Sequence, residues 1–197
     1  MAYTSCAANL AANIAPDCAN PIVSGYTGRA VFFKADGSAT LVADASNPRT
    51  ITSVTLPGTD KFIAVDNANV VTPLDGSATQ SNGDSGRILF GKTVNVRVPL
   101  RGSETSKDII EPLTQSPFGW TGIFEKRDKV GNGSFEMIGL QQGLRPTADG
   151  IVRNESENGG DIAVTMGCTE TWFEADFFDT DYATTLAAFE AMLANTI

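Results

Sequence analysis

The sequence predicts a soluble, acidic, mainly β domain with one short internal helix and an amphipathic helix at its C-terminal end. Three observations lead there. Short segments rich in Val, Ile, Phe and Thr recur between clusters of Gly, Pro, Asp and Asn, the punctuation of strands and turns. Nineteen glycines and nine prolines supply those turns. A sustained helical period of apolar residues shows only near the C-terminal end. At 197 residues and 42% apolar, the chain suits a single β-rich domain with its own core. No apolar run approaches the roughly 18 residues of a membrane span, so no anchor is expected.

Residues 1–27 are small and polar and read as an N-terminal arm that orders only against something else. The single domain then covers 28–197. Arg29–Ala35 and Ala39–Ala43 read as strands around an Asp36-Gly37-Ser38 turn. Thr50–Leu56, closed by Pro57-Gly58, and Lys61–Val65 are further strands. Asp66–Gly86 holds only Val70 and Val71 as an apolar patch, and reads as a long structureless loop held by a partner. Arg87–Phe90 and Lys92–Leu100 follow as strands. In the second, Val94, Val96, Val98 and Leu100 alternate with polar residues, the clearest period of two in the chain. Ser103–Gln115 reads as a helix that Pro112 shortens or breaks.

Trp120–Arg127 and Ser134–Leu140 form a hairpin around the turn cluster at 128–133. Arg145–Gly160 reads as a loop. Asp161–Gly167 and Thr169–Phe178 read as two strands. In the second, Glu170, Glu174 and Asp176 fall on one side and Phe173, Ala175 and Phe177 on the other. Thr180–Asn195 is the final helix. Its stripe is Tyr182, Leu186, Phe189 and Leu193, with Asp179, Thr180 or Asp181 as its cap.

Charge is uneven. Residues 1–86 carry seven acids and four bases, 87–153 seven acids and ten bases, and 154–197 nine acids and no base. The net −9 therefore equals the charge of the last segment. A surface of that sign repels nucleic acid. Histidine is absent, which removes the Ser-His-Asp and Cys-His machineries and imidazole metal sites. The three cysteines, Cys6, Cys18 and Cys168, are too few and too scattered for a disulfide scaffold. They read as reduced thiols, with a Cys6–Cys18 pairing left open. The opening residues lack a positive, apolar leader, so synthesis in a cytoplasm without secretion is expected.

The candidate motifs yield no enzyme. Gly83-Asp84-Ser85-Gly86 matches a protease nucleophile motif, but no histidine serves as its base, so it reads as a turn. Glu170, Glu174 and Asp176 are the candidate acid/base carboxylates, and they read instead as a solvated acidic strand face. Asn154 to Glu157 with Asp161 lacks the spacing and the glycine of a calcium loop. Glu125 to Lys129 mixes both signs without interleaved aromatics, unlike a nucleic-acid site. No catalytic residue, cofactor or metal is expected.

From Ser103 onward the order of parts resembles the tail tube (major tail) proteins of tailed bacteriophages. The broken helix around DIIEPLTQ, the hairpin ending FEMIGLQQGL, the acidic strand TETWFEADFF and the closing helix carry that likeness. The opening, MAYTSCAANL to GYTGRAVFF, is similar to virion proteins of phages of Bacteroidetes-type hosts. The resemblance covers most of the chain loosely and has no diagnostic motif. It implies a β-sandwich or barrel-like pair of sheets with a flanking helix. It implies homo-oligomeric, hexameric rings joined edge to edge and stacked into a tube, with other tail or head–tail proteins as partners. DNA would pass an acidic lumen without specific binding. The location implied is the virion tail, after synthesis in the host cytoplasm. Under it, Glu170, Glu174 and Asp176 are candidate lumenal acids. Lys126, Arg127, Lys129, Asp75 and Asp84 are candidate inter-subunit contacts. The alternatives are a capsid decoration or head–tail completion protein, a carbohydrate-binding adhesin sandwich and, last, a glycosidase-like enzyme using Glu170 and Glu174.

Overall fold

The computed structural model describes residues 25–66, 74–82, 88–98, 110–129, 131–152 and 162–196. Eleven strands form two open sheets. Strands β1 (Tyr26–Lys34), β2 (Thr40–Ala43), β3 (Thr50–Thr55), β4 (Ile63–Asp66), β7 (Trp120–Lys126), β8 (Phe135–Ile138) and β11 (Ala175–Phe177) make a seven-stranded sheet. Its order is β2-β3-β11-β8-β7-β1-β4. Strands β5 (Leu74–Asn82), β6 (Ile88–Val98), β9 (Arg145–Val152) and β10 (Ile162–Glu170) make a four-stranded sheet, ordered β5-β6-β10-β9. Among the described residues, helix α1 (Glu111–Gln115) and helix α2 (Tyr182–Ala194) accompany the sheets. The architecture is mainly β, as the sequence predicts, and sandwich-like.

Two apolar layers explain why particular strands look as they do in sequence. The first lies between the sheets. It joins Ala30, Phe32, Phe124 and Ile138 of one sheet to Val94, Val96, Val164 and Met166 of the other. The second lies on the far face of the seven-stranded sheet, where α2 covers it. There Val31, Phe33, Ile123, Phe135 and Phe177 meet Phe189 and Met192. Strands β1 and β7 are thus covered on both faces, so Ala30–Phe33 reads as an unbroken apolar run. Strand β6 shows the alternation expected of it, with Val94 and Val96 fully buried and Asn95 exposed.

Helix α2 starts where its cap predicts. Asp181 Oδ1 accepts from the Thr184 amide at 2.7 Å, which satisfies one of the free amides of the first turn. Its buried stripe is centred on Thr185, Phe189 and Met192, with Tyr182, Leu186 and Leu193 half-buried beside it. Helix α1 begins at Glu111, just ahead of its proline. Pro112 lies in the first turn, where its missing N–H costs nothing, and not in the interior. Trp120 Nε1 donates to the Leu113 carbonyl at 3.0 Å and ties α1 to the sheet.

Several sequence expectations are corrected. The 66–86 loop contains a nine-residue strand, β5. The Arg145–Gly160 loop begins with another, β9. Both are edge strands. Their order comes from backbone pairing to β6 and β10, which leaves little apolar alternation to read. Residues 88–98 form one strand where two were expected. Conversely, the chain breaks between Thr171 and Glu174, so Glu170 ends β10 and Asp176 belongs to the other sheet. Tyr26 and Thr27, assigned to the arm, lie in β1. Residues 1–24 of the arm with Cys6 and Cys18, the Gly83–Gly86 motif, residues 99–109 and the Asn154–Asp161 stretch lie outside the described residues.

The turn between β8 and β9 needs glycine. Gly139 has φ +87°, and a Cβ there would sit 2.4 Å from the Trp120 carbonyl oxygen. That close approach accompanies the Trp120–Leu144 bridge, where Trp120 N donates to Leu144 O at 3.0 Å.

Candidate functional site

The two sheets differ in how their edges end. Among the described residues, β5 and β9 are each paired on one side only. Strand β9 is interrupted. Its partners on β10 shift between Val164 and Met166, and it contains Pro146. A bulge and a proline are the usual means of blunting an edge. Strand β5 has neither. It pairs with β6 from Leu74↔Val96 to Asn82↔Ile88 with no register shift. The edges of the other sheet, β2 and β4, are only four residues each. Among the described residues β5 is therefore the longest regular open edge, about 30 Å at about 3.4 Å per residue. Its outer side offers a row of backbone donors and acceptors to a further strand.

The ion-paired side chains among the described residues form three groups. Lys92 Nζ lies 2.7 Å from Glu170 Oε2, and both side chains are 2% exposed. The contact is an ion pair without hydrogen-bond alignment, since Nζ has no aligned acceptor. Glu170 Oε1 also accepts from the Gln141 amide at 3.2 Å. In the second group, Arg29 Nε donates to Glu125 Oε2 at 2.7 Å, and Thr27 Oγ1 donates to the same oxygen at 2.7 Å. Burial pushes the Glu125 carboxyl up. The hydrogen bonds from Arg29 and Thr27 outweigh it and hold the group below the usual glutamate value.

The third group centres on Lys126. Its Nζ pairs with Glu174 Oε1 and lies 3.4 Å from Glu136 Oε2, which also accepts from the Tyr26 hydroxyl at 2.8 Å. Asp176, on β11 opposite Glu136, completes it. Burial would lower the Lys126 pKa, but the Glu174 hydrogen bond and the surrounding carboxylates raise it. Asp176 is pushed up to about 6, first by burial and then by the like charge of Glu174.

The predicted site residues therefore separate. Glu170 does not lie on an open acidic face; it is buried against Lys92 between the sheets. Glu174 and Asp176 do come together, but around Lys126. That lysine is engaged within its own chain. Arg127 and Lys129 are exposed near the β7–β8 turn, and Arg127 Nε donates to the Tyr26 carbonyl at 3.0 Å. Asp75 lies on β5 opposite Asn95, and Asp84 lies outside the described residues. The Lys92–Glu170 and Arg29–Glu125 pairs were not singled out in the sequence. Parity held the signal for the first: Lys92 is in phase with Val94 and Val96, and Glu170 with Ile162, Val164 and Met166.

An open cleft of about 680 Å³ lies near the buried pair, lined by Phe118, Gln141, Gln142, Arg145, Thr147 and Thr169 among others. Cys168 borders it. Burial, then the Glu170 charge, pushes its thiol up to about 12, which leaves no thiolate nucleophile at neutral pH. Among the described residues no group of three or more Cys, Asp or Glu side chains is placed to hold a metal ion. No helix among them is long and apolar enough to cross a membrane. No family model, curated protein or solved structure matches the chain.

Proposed function

We propose that this chain is a virion structural protein of the tail tube type, which assembles with copies of itself into rings by pairing sheet edges. One observation carries the reading: among the described residues β5 is a nine-residue open edge, in regular register and free of proline and bulges. A monomer that left such an edge bare would invite open-ended association, and closure into a ring satisfies it. The net charge of −9 supports passage of DNA without capture, because an acidic wall has no cations with which to release the counterions of DNA. In this reading Glu170 contributes nothing to the wall, since Lys92 neutralises it inside the subunit.

Electron microscopy of the concentrated protein tests the proposal. Rings or hollow tubes are expected. Lysine at Ser77, Thr79 and Ser81, the register partners of Thr93, Gly91 and Leu89, should leave a folded monomer that forms neither. Monomers of the unaltered chain at every concentration, or binding to capsids alone, would overturn the proposal. So would tubes from the lysine variant.

A further inference from the structure

The seven-stranded sheet has a narrow seam. Strand β11 is three residues long, and among the described strands it alone joins the β2–β3 ribbon to β8 and the rest of the sheet. It pairs with β3 through Asp176↔Thr50 and Phe177↔Ile51, and with β8 through Ala175↔Met137 and Asp176↔Glu136. Asp176 is in both ladders. Its neighbours Ala175 and Phe177 face α2, so its side chain takes the opposite face, shared with Glu136 and Phe124.

The charges that meet there do not balance. Lys126 from β7 is the near cation, and it is shared between Glu174 and Glu136. Tyr26 from β1 adds a hydroxyl donor, but to Glu136. Lys92 on β6 attracts Asp176 only weakly, and it is paired with Glu170. Arg49 offers its carbonyl to the Asp176 amide and turns its guanidinium over Trp172. Asp176 is thus the third carboxylate around one ammonium. Its Oδ1 is buried with no hydrogen-bond partner.

We infer that this cluster is a proton-operated latch, firm when Asp176 carries a proton and strained when it does not, which sets how tightly the β2–β3 ribbon is held to the sheet. Protonation removes the charge of the third carboxylate around one near ammonium, at the residue where both ladders of the seam meet. The sign follows from linkage. A carboxyl whose folded value, about 6, lies above its ordinary 3.8 binds its proton more firmly in the folded chain. The seam therefore weakens as pH rises from 3.8 towards 6 and stays weak above that. The latch stands apart from the tail tube reading and does not depend on it.

NMR of the labelled full-length chain tests it, following the Asp176 carboxyl and amide exchange in β2, β3 and β7, corrected for intrinsic rates. Between pH 5 and pH 8, protection in β2 and β3 should fall about tenfold relative to β7. This is less than the hundredfold of a two-unit shift, because only the upper unit of the window from 3.8 to 6 lies above pH 5. Asp176→Asn should hold the acid level of protection at pH 8. Glu174→Gln, which removes the like charge and keeps the shape, should move the Asp176 midpoint down. An Asp176 midpoint near the ordinary ~3.9 would overturn the inference. So would ribbon protection that ignores pH, or the same pH dependence in Asp176→Asn.

Discussion

Replacing Lys92 with methionine isolates the energetics of the inter-sheet ion pair. Methionine keeps the length of the side chain and removes its charge. Glu170 would then stand 2% exposed, with one backbone donor from Gln141 and no counter-ion. Breaking a buried pair from one side costs about 3–5 kcal/mol, because the remaining charge has lost its water without recompense. For a chain of this size each kcal/mol moves the thermal midpoint by about 2–4 °C, so a fall of roughly 6–20 °C is expected. The double variant Lys92→Met/Glu170→Met removes both charges. It should return to within about 1–2 kcal/mol of the original, because apolar replacements of similar volume tolerate such a site. Calorimetry or thermal circular dichroism on the four members of this cycle gives the coupling directly. A loss under about 1 kcal/mol in the single variant would refute the reasoning. It would mean that Glu170 is solvated, as on the open acidic face expected from sequence.

Gly139→Ala should destabilise the fold by about 1–3 kcal/mol or more, since it adds backbone strain to a clash with the Trp120 carbonyl, and denaturant titration reads it. Arg29→Met leaves Glu125 buried without its cation. The Arg29-linked share of stability is present above the ordinary glutamate value of ~4.3 and is lost as pH falls through the depressed folded value. Stability curves of the two proteins should therefore converge in acid and diverge by about 3 kcal/mol at neutral pH. Asp181→Ala removes the α2 cap and should raise amide exchange at Thr184. The difference should fade as pH falls through the Asp181 value, which the Thr184 hydrogen bonds hold low. Charge reversal at Arg127 and Lys129, both exposed, should disturb assembly before folding, read by light scattering against thermal melts. Reversal at Lys126 should disturb folding first, because its carboxylate partners lie in the same subunit.

Much of the architecture was legible in the residues because burial imposes a period. Val94 and Val96 alternate with exposed or half-buried neighbours, the Ala30–Phe33 run is apolar on both sides, and α2 carries its stripe and its Asp181 cap. Those features follow from which local geometry buries an apolar face. The β5 and β9 edges did not announce themselves, since one is polar and regular and the other holds Pro146 and a break in register. Their order comes from ladders to strands distant in sequence. The role of the acids was likewise decided by tertiary structure. Glu170, Glu174 and Asp176 share a parity, and the local pattern reads them as one solvated face. The break at 171–174 sends them to different sheets, and three-dimensional packing brings Lys92 to one and Lys126 to the others. A charge is solvated or buried according to what folds against it, and its own neighbours along the chain carry no record of that.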